Sequence, residues 1–98
     1  MYTIIVGLNV VNEEEYKLYR EGMTPMVHAV NGYFRYDFKI LETLKTEATH
    51  PINRLFLLSF PSKTVSEQFF ADPKYLEVRR AHFDKAVKGR TQLAQIGE

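Results

Sequence analysis

The stretch YTIIVGLNVV, residues 2–11, is rich in β-branched residues and apolar at both alternating sets of positions. Successive side chains of a strand point to opposite sides of a sheet, so this pattern predicts a strand buried on two faces. LFLLSF, residues 55–60, repeats it. Two such strands need a layer on each side. Working outward, Asn12 can cap a helix, with Glu15 three residues on in capping-box spacing and Glu13 to Glu15 at the positive end of the helix dipole. Tyr16, Tyr19, Met23, Met26 and Val30 recur at spacings of three and four, which makes one apolar helical stripe. Pro25 falls inside the stripe and removes a backbone bond, so a kink or a break near Thr24 is predicted. Asn31-Gly32 ends the helix.

Tyr33 to Leu41 alternates, with Phe34, Tyr36, Phe38 and Ile40 on one face and Tyr33, Arg35, Asp37 and Lys39 on the other. That predicts a half-buried edge strand. Residues 42–53 are polar, contain Pro51 and read as a hairpin connection. Ser62 caps a second helix after Pro61, and Asp72-Pro73 restarts it. Gly89 follows this helix and Thr91 to Ile96 forms the last strand. The order βαββαβ is that of an α+β, ferredoxin-like domain spanning residues 1–98, with a four-stranded antiparallel sheet. Two helices cover only one face of such a sheet. The other face is expected to pair with a second copy, giving a homodimer in the form of a dimeric α/β barrel.

Ninety-eight residues, 45% of them hydrophobic and 26% charged, suit one ordinary globular domain. No Cys is present, which excludes disulfides, thiolate catalysis and cysteine zinc sites. The net charge of +1 gives little drive toward nucleic acid, since Glu77 and Asp84 interleave the basic residues of the last third. The apolar N-terminal run is too short to span a bilayer and lacks the basic lead-in of a signal peptide, so no membrane partner and a cytoplasmic location are expected. His28, His50 and His82 are not at metal-ligand spacing, and no glycine-rich phosphate loop occurs. Neither a metal nor a cofactor is expected.

Candidate chemistry centres on Arg79. On a helical wheel it lies between Leu76 and Phe83, in an arc that continues to Val87. A buried guanidinium there needs a protein carboxylate or an anionic ligand, and Glu77 and Asp84 are predicted to project away from the arc. Tyr75, Arg79 and His82 form one stripe, read either as side chains reaching along the helix toward solvent with Arg79 paired to a local carboxylate, or as an anion- or carbonyl-binding set with His82 moving a proton. Asp37 and Arg35 read as a general base with its electrostatic partner, or as edge-strand charges that oppose aggregation. Asn9, polar in an apolar run, needs an internal hydrogen bond or a ligand. His28 sits opposite the apolar stripe and His50 in the polar loop, so both are expected in solvent.

Phe60-Pro61-Ser62, followed after eight residues by Ala71-Asp72-Pro73-Lys74-Tyr75, resembles an uncharacterised dimeric α/β-barrel family, domain of unknown function number 1330. Pro25 within the first helix, Gly32 before the second strand and Arg54 before the third fit as well. Tyr33 and Asp37 depart from the basic residues that its members often carry there. A broader resemblance is to the antibiotic-biosynthesis monooxygenase group, which includes cofactor-free oxygenases and haem-degrading enzymes. Its haem enzymes use an Asn on the first strand, a Trp ending the third and a His on the second helix. Asn9 matches the first, but Phe60 and Arg79 stand at the others, and Arg is no substitute for a neutral imidazole on iron. The resemblances imply a small anionic or carbonyl-containing molecule held in a cleft between sheet and helices, with cofactor-independent catalysis as the enzymatic form. The alternative is a non-catalytic dimeric module that binds a ligand or a protein.

Overall fold

In the computed structural model, which describes residues 1–98, strands β1 (Tyr2–Val10), β2 (Tyr33–Lys39), β3 (Arg54–Phe60) and β4 (Val87–Gly97) form one antiparallel sheet of order β2-β3-β1-β4. This is the ferredoxin-like order, with β2 at an edge as its alternation predicts. Helices α1 (Glu13–Ala29), α2 (Lys63–Ala71) and α3 (Pro73–Val78) cover one face. Ile4, Val6, Leu8 and Val10 point from β1 into this layer with Leu58 and Phe60 of β3. They meet Tyr16, Tyr19, Met23 and Val27 of α1, and Phe69, Tyr75 and Phe83 behind it.

The caps lie where the sequence puts them. Asn12, Ser62 and Asp72 accept from the backbone N–H of Glu15, Val65 and Lys74 at 3.1, 3.2 and 2.8 Å, which satisfies donors that a helix start leaves open. The reciprocal half of the expected capping box is absent, because the Glu15 carboxylate turns instead to His82 Nδ1, 2.9 Å away. Asn31 closes α1 in the left-handed region, at φ 62°.

Two local expectations fail, and of the kink or break expected at Pro25 the break does not occur. α1 runs unbroken through Pro25. The proline removes only the donor to the Glu21 carbonyl, and Thr24 Oγ1 donates back to the Arg20 carbonyl at 2.5 Å. Met23 and Val27, buried on either side of the proline, hold the helix together across it. In β2, a bulge between Phe34 and Tyr36 leaves Arg35 without a partner and reverses the facing of the strand residues beyond it. Phe34, Asp37 and Lys39 therefore face the helices, and Tyr33, Tyr36 and Phe38 face away; the simple alternation had Asp37 on the side of Tyr33. Finally, α3 passes into a π turn (Arg79–Phe83) and a last turn (Asp84–Ala86), and β4 begins at once with Val87. Val87 is thus a strand residue opposite Val10, and Gly89 lies inside the strand opposite Asn9.

Candidate functional site: an arginine pair under the first helix

Tyr16 and Arg20 are one turn apart on α1, at the edge of its apolar stripe. Arg54 opens β3, and the bulge turns Asp37 of the neighbouring strand toward it. Arg54 holds Asp37 in a bidentate pair, Nε to Oδ1 and Nη2 to Oδ2, both 2.8 Å. Arg20 Nη1 reaches the same carboxylate at 3.0 Å and donates to Tyr16 Oη at 3.2 Å. Two guanidiniums thus converge on one carboxylate. They are 18% and 16% exposed, against 28% for Asp37. Their flat faces rest on rings: Arg20 is 3.7 Å from the centre of Phe34, and Arg54 is 4.8 Å from that of Tyr16.

Burial opposes ionisation of Asp37, but the hydrogen bonds from Arg54 and the charge of Arg20 outweigh it and hold the carboxyl below its ordinary range. The pairing with Asp37 raises Arg54 in turn. Burial raises the Tyr16 phenol despite the adjacent guanidiniums, so its proton stays on. Asp37 is thus held ionised between the two guanidiniums. Outside this cluster opens a groove of ≈ 940 Å³ whose wall includes Tyr16, Arg20, Thr24, Pro25, Lys39 and Arg54. Glu13 stands at its rim, 3.7 Å from Arg54.

The residues singled out along the sequence do not gather in one place. Arg79 is 42% exposed, lies 5.2 Å from the Phe83 ring and reaches Asp84 at 3.9 Å. Of the two readings of Arg79, the structure has the solvent-reaching arginine beside a local carboxylate and not the buried, unpaired guanidinium, because the π turn adds a residue to the helical turn. The Asp84 N–H bonds back to the Arg79 carbonyl, five residues earlier, and this brings the Asp84 side chain beside Arg79. Tyr75 is buried and its hydroxyl pairs with that of Tyr19 at 2.8 Å. Burial raises both phenols, Tyr19 well above its ordinary value. His82 is engaged with Glu15. None of the grooves on the molecule is lined by Tyr75, Arg79 or His82. Arg35 is exposed at the bulge, away from Asp37, and Asn9 lies on the helix-free face of the sheet. His28 is exposed as expected, at the groove. His50 is not simply solvated: its Nε2 and Thr91 Oγ1 are 2.8 Å apart.

The profile of one protein family, Domain of unknown function (DUF1330), matches residues 1–94. The chain belongs to this family. None of the curated proteins matches the chain. Among solved structures, a protein of unknown function from Rhodopseudomonas palustris is 15% identical and superposes with a TM-score of 0.79, over 97% of this chain and 79% of that one. A candidate antibiotic-biosynthesis monooxygenase from Nitrosomonas europaea is 16% identical, with a TM-score of 0.62 over 100% and 98%. A dimeric protein of unknown function with a ferredoxin-like fold, from Bacteroides fragilis, is 10% identical, with a TM-score of 0.58 over 99% and 95%. At these identities the likeness is one of fold. In this chain Asp37 binds Arg54 and Arg20 into one cluster.

Sequence reading passed over Arg20 and used Arg54 only as punctuation. One signal was present. Arg20 and Thr24 follow Tyr16 of the apolar stripe at i+4 and i+8, and so share one flank of α1 with it. The pairing of Arg54 with Asp37 carried no such signal, because it depends on the bulge.

Proposed function

We propose that this protein binds a small anionic or carbonyl-containing molecule in the groove between α1 and the β2–β3 side of the sheet. The observation that carries this reading is the sharing of one carboxylate by Arg20 and Arg54 on the groove wall. Two guanidiniums share the carboxylate of Asp37, Lys17 and Lys39 add positive charge to a groove wall that also carries Glu13, Glu14 and Glu21, and Asp37 leaves several of the guanidinium N–H donors unused. Planar guanidiniums held in place by ring faces and a carboxylate are well suited to donate to a carboxylate or carbonyl oxygen, since little side-chain freedom is then lost on binding. Thermal-shift titration with acetate, benzoate, pyruvate and inorganic phosphate tests it. At least one of these anions raises the melting temperature of the wild-type protein, and Arg54→Gln and Arg20→Gln lose that shift while Arg79→Gln keeps it. A wild-type protein indifferent to all four, or a shift lost only in Arg79→Gln, overturns the reading.

A second observation supports a homodimer. Tyr33, Tyr36, Phe38, Leu93 and Ile96 are all substantially exposed, and the face without helices carries most of them together with Ile5, Leu55 and Leu57. Monomers rarely leave so much contiguous apolar surface in water. The molecule measures 34 × 30 × 19 Å, and its broad face is on the order of 800 Å², about what each partner of a standard interface contributes. Sedimentation at micromolar concentration is expected to give twice the 11.5 kDa chain mass. A stable monomer across that range overturns this part.

A further inference from the structure

The helix-free face is not uniform. The segment 41–53, between β2 and β3, folds back over one half of it as a strap. Its return arm is clamped: the Asn53 N–H bonds to the Leu8 carbonyl at 2.9 Å, Ile52 sits against Gly7, and His50 sits against Gly89 while meeting Thr91 Oγ1. At Gly89 there is no room for a side chain beneath the His50 ring. The outer arm stands over a crevice floored by Leu55, Thr91 and Leu93. Leu41 and Leu44 take no part in lining that crevice and are 103% and 89% exposed. The other half of the face, around Ile5, Leu57, Tyr33 and Ile96, carries no strap. The two hydroxyls within it, Thr3 Oγ1 and Ser59 Oγ, satisfy each other at 2.6 Å and are buried beneath their neighbours. One half is therefore raised and ends in two leucines, and the other is low and apolar.

We infer that the partner surface for this strap is the low half of a second copy, so that Leu41 and Leu44 of each chain pack on Ile5, Leu57 and Ile96 of the other. The inference rests on the homodimer proposed above and specifies how it is built. A two-fold axis presents the same patch from both sides. An axis in the plane of the face and running between its halves sets each strap over the partner's low half. An axis running across the halves sets strap against strap and holds the low halves apart, leaving their apolar surface wet. Only the first arrangement covers both the leucines and the low half.

Three measurements on the intact chain test it. Sedimentation compares the wild type with Leu41→Ser/Leu44→Ser, a pair of changes at side chains that support nothing in their own chain. The expected result is a wild-type dimer and a double variant whose dimer dissociates at a concentration at least tenfold higher, since four leucine side chains per dimer lose their burial. Because the chain has no Cys, a mixture of Leu44→Cys and Ile96→Cys can be joined by a short bis-maleimide only between different chains. That mixture is expected to cross-link well above a mixture of Leu44→Cys with Glu67→Cys, which lies on the helix side. A wild-type dimer that the double serine variant leaves unchanged overturns the strap arrangement and leaves the pairing in place. A weakened dimer without the selective cross-link overturns the two-fold arrangement. A wild-type monomer removes the pairing and the strap contact together.

Discussion

Two arginine–acid pairs on this molecule, Arg54 with Asp37 and Arg79 with Asp84, are not equivalent. Arg54 grips Asp37 with two 2.8 Å bonds, is 16% exposed and shares its partner with Arg20. Arg79 reaches Asp84 at 3.9 Å, with both side chains open to water at 42% and 59%. An exposed pair gains little over its interactions with water, whereas a partly buried bidentate pair leaves an expensive orphan when one member is removed. Identical side-chain types therefore have different consequences, and burial with geometry decides which.

The largest expected effect breaks the first pair. Asp37→Ala leaves two guanidiniums without their carboxylate and should cost about 3 kcal/mol, a fall in melting temperature of roughly 12 to 24 °C for a domain of this size. A loss under about 0.5 kcal/mol by urea unfolding would put the Asp37 cluster in the same class as Arg79. Acid sharpens the same contrast. Asp37 titrates below its ordinary 3.8, so it stabilises the fold above that pH, and the contribution is lost as pH falls through the depressed value. The stability gap between wild type and Asp37→Asn should be full at pH 7, begin to narrow near pH 4 and close only below the depressed value. A gap that persists at lower pH contradicts the assignment.

Beneath Arg79 the stabilising contact is a neutral one. Tyr75→Phe leaves the buried Tyr19 hydroxyl without its 2.8 Å partner and should cost about 1 kcal/mol, of which Tyr19→Phe in the same chain recovers part. A double mutant no more stable than the single would rule out the hydroxyl pair as the cause. The smallest effect is on Arg79 itself. Arg79→Met keeps the contact with Phe83 and should shift stability by no more than about 0.5 kcal/mol in chemical denaturation. A larger loss would mean that the pair with Asp84 is tighter than its 3.9 Å separation.

The element order, the caps at Asn12, Ser62 and Asp72, and the core positions of β1, β3 and α1 were all legible along the chain. Each rests on a local rule: a period of two or of 3.6, or a side chain that bonds its own backbone two or three residues on. Such rules need no knowledge of what lies across the fold. Pro25 marks their limit, because its cost is local while the packing of Met23 and Val27 that outweighs it is not.

The candidate site depended on two single-residue irregularities. The bulge at Arg35 turned Asp37 from the open face to the helix face, into the reach of Arg54 and Arg20. The π turn over Arg79–Phe83 carried Asp84 round to Arg79 and removed the burial that a regular wheel assigns it. In a strand or a helix one extra residue reverses or rotates everything beyond it, and its cost is met by partners distant in sequence. The chain by itself thus determined which residues build the sheet, the helices and the shared core. Which charged side chains meet was decided only by the packed tertiary structure, because facing depends on register and register answers to contacts from across the whole fold.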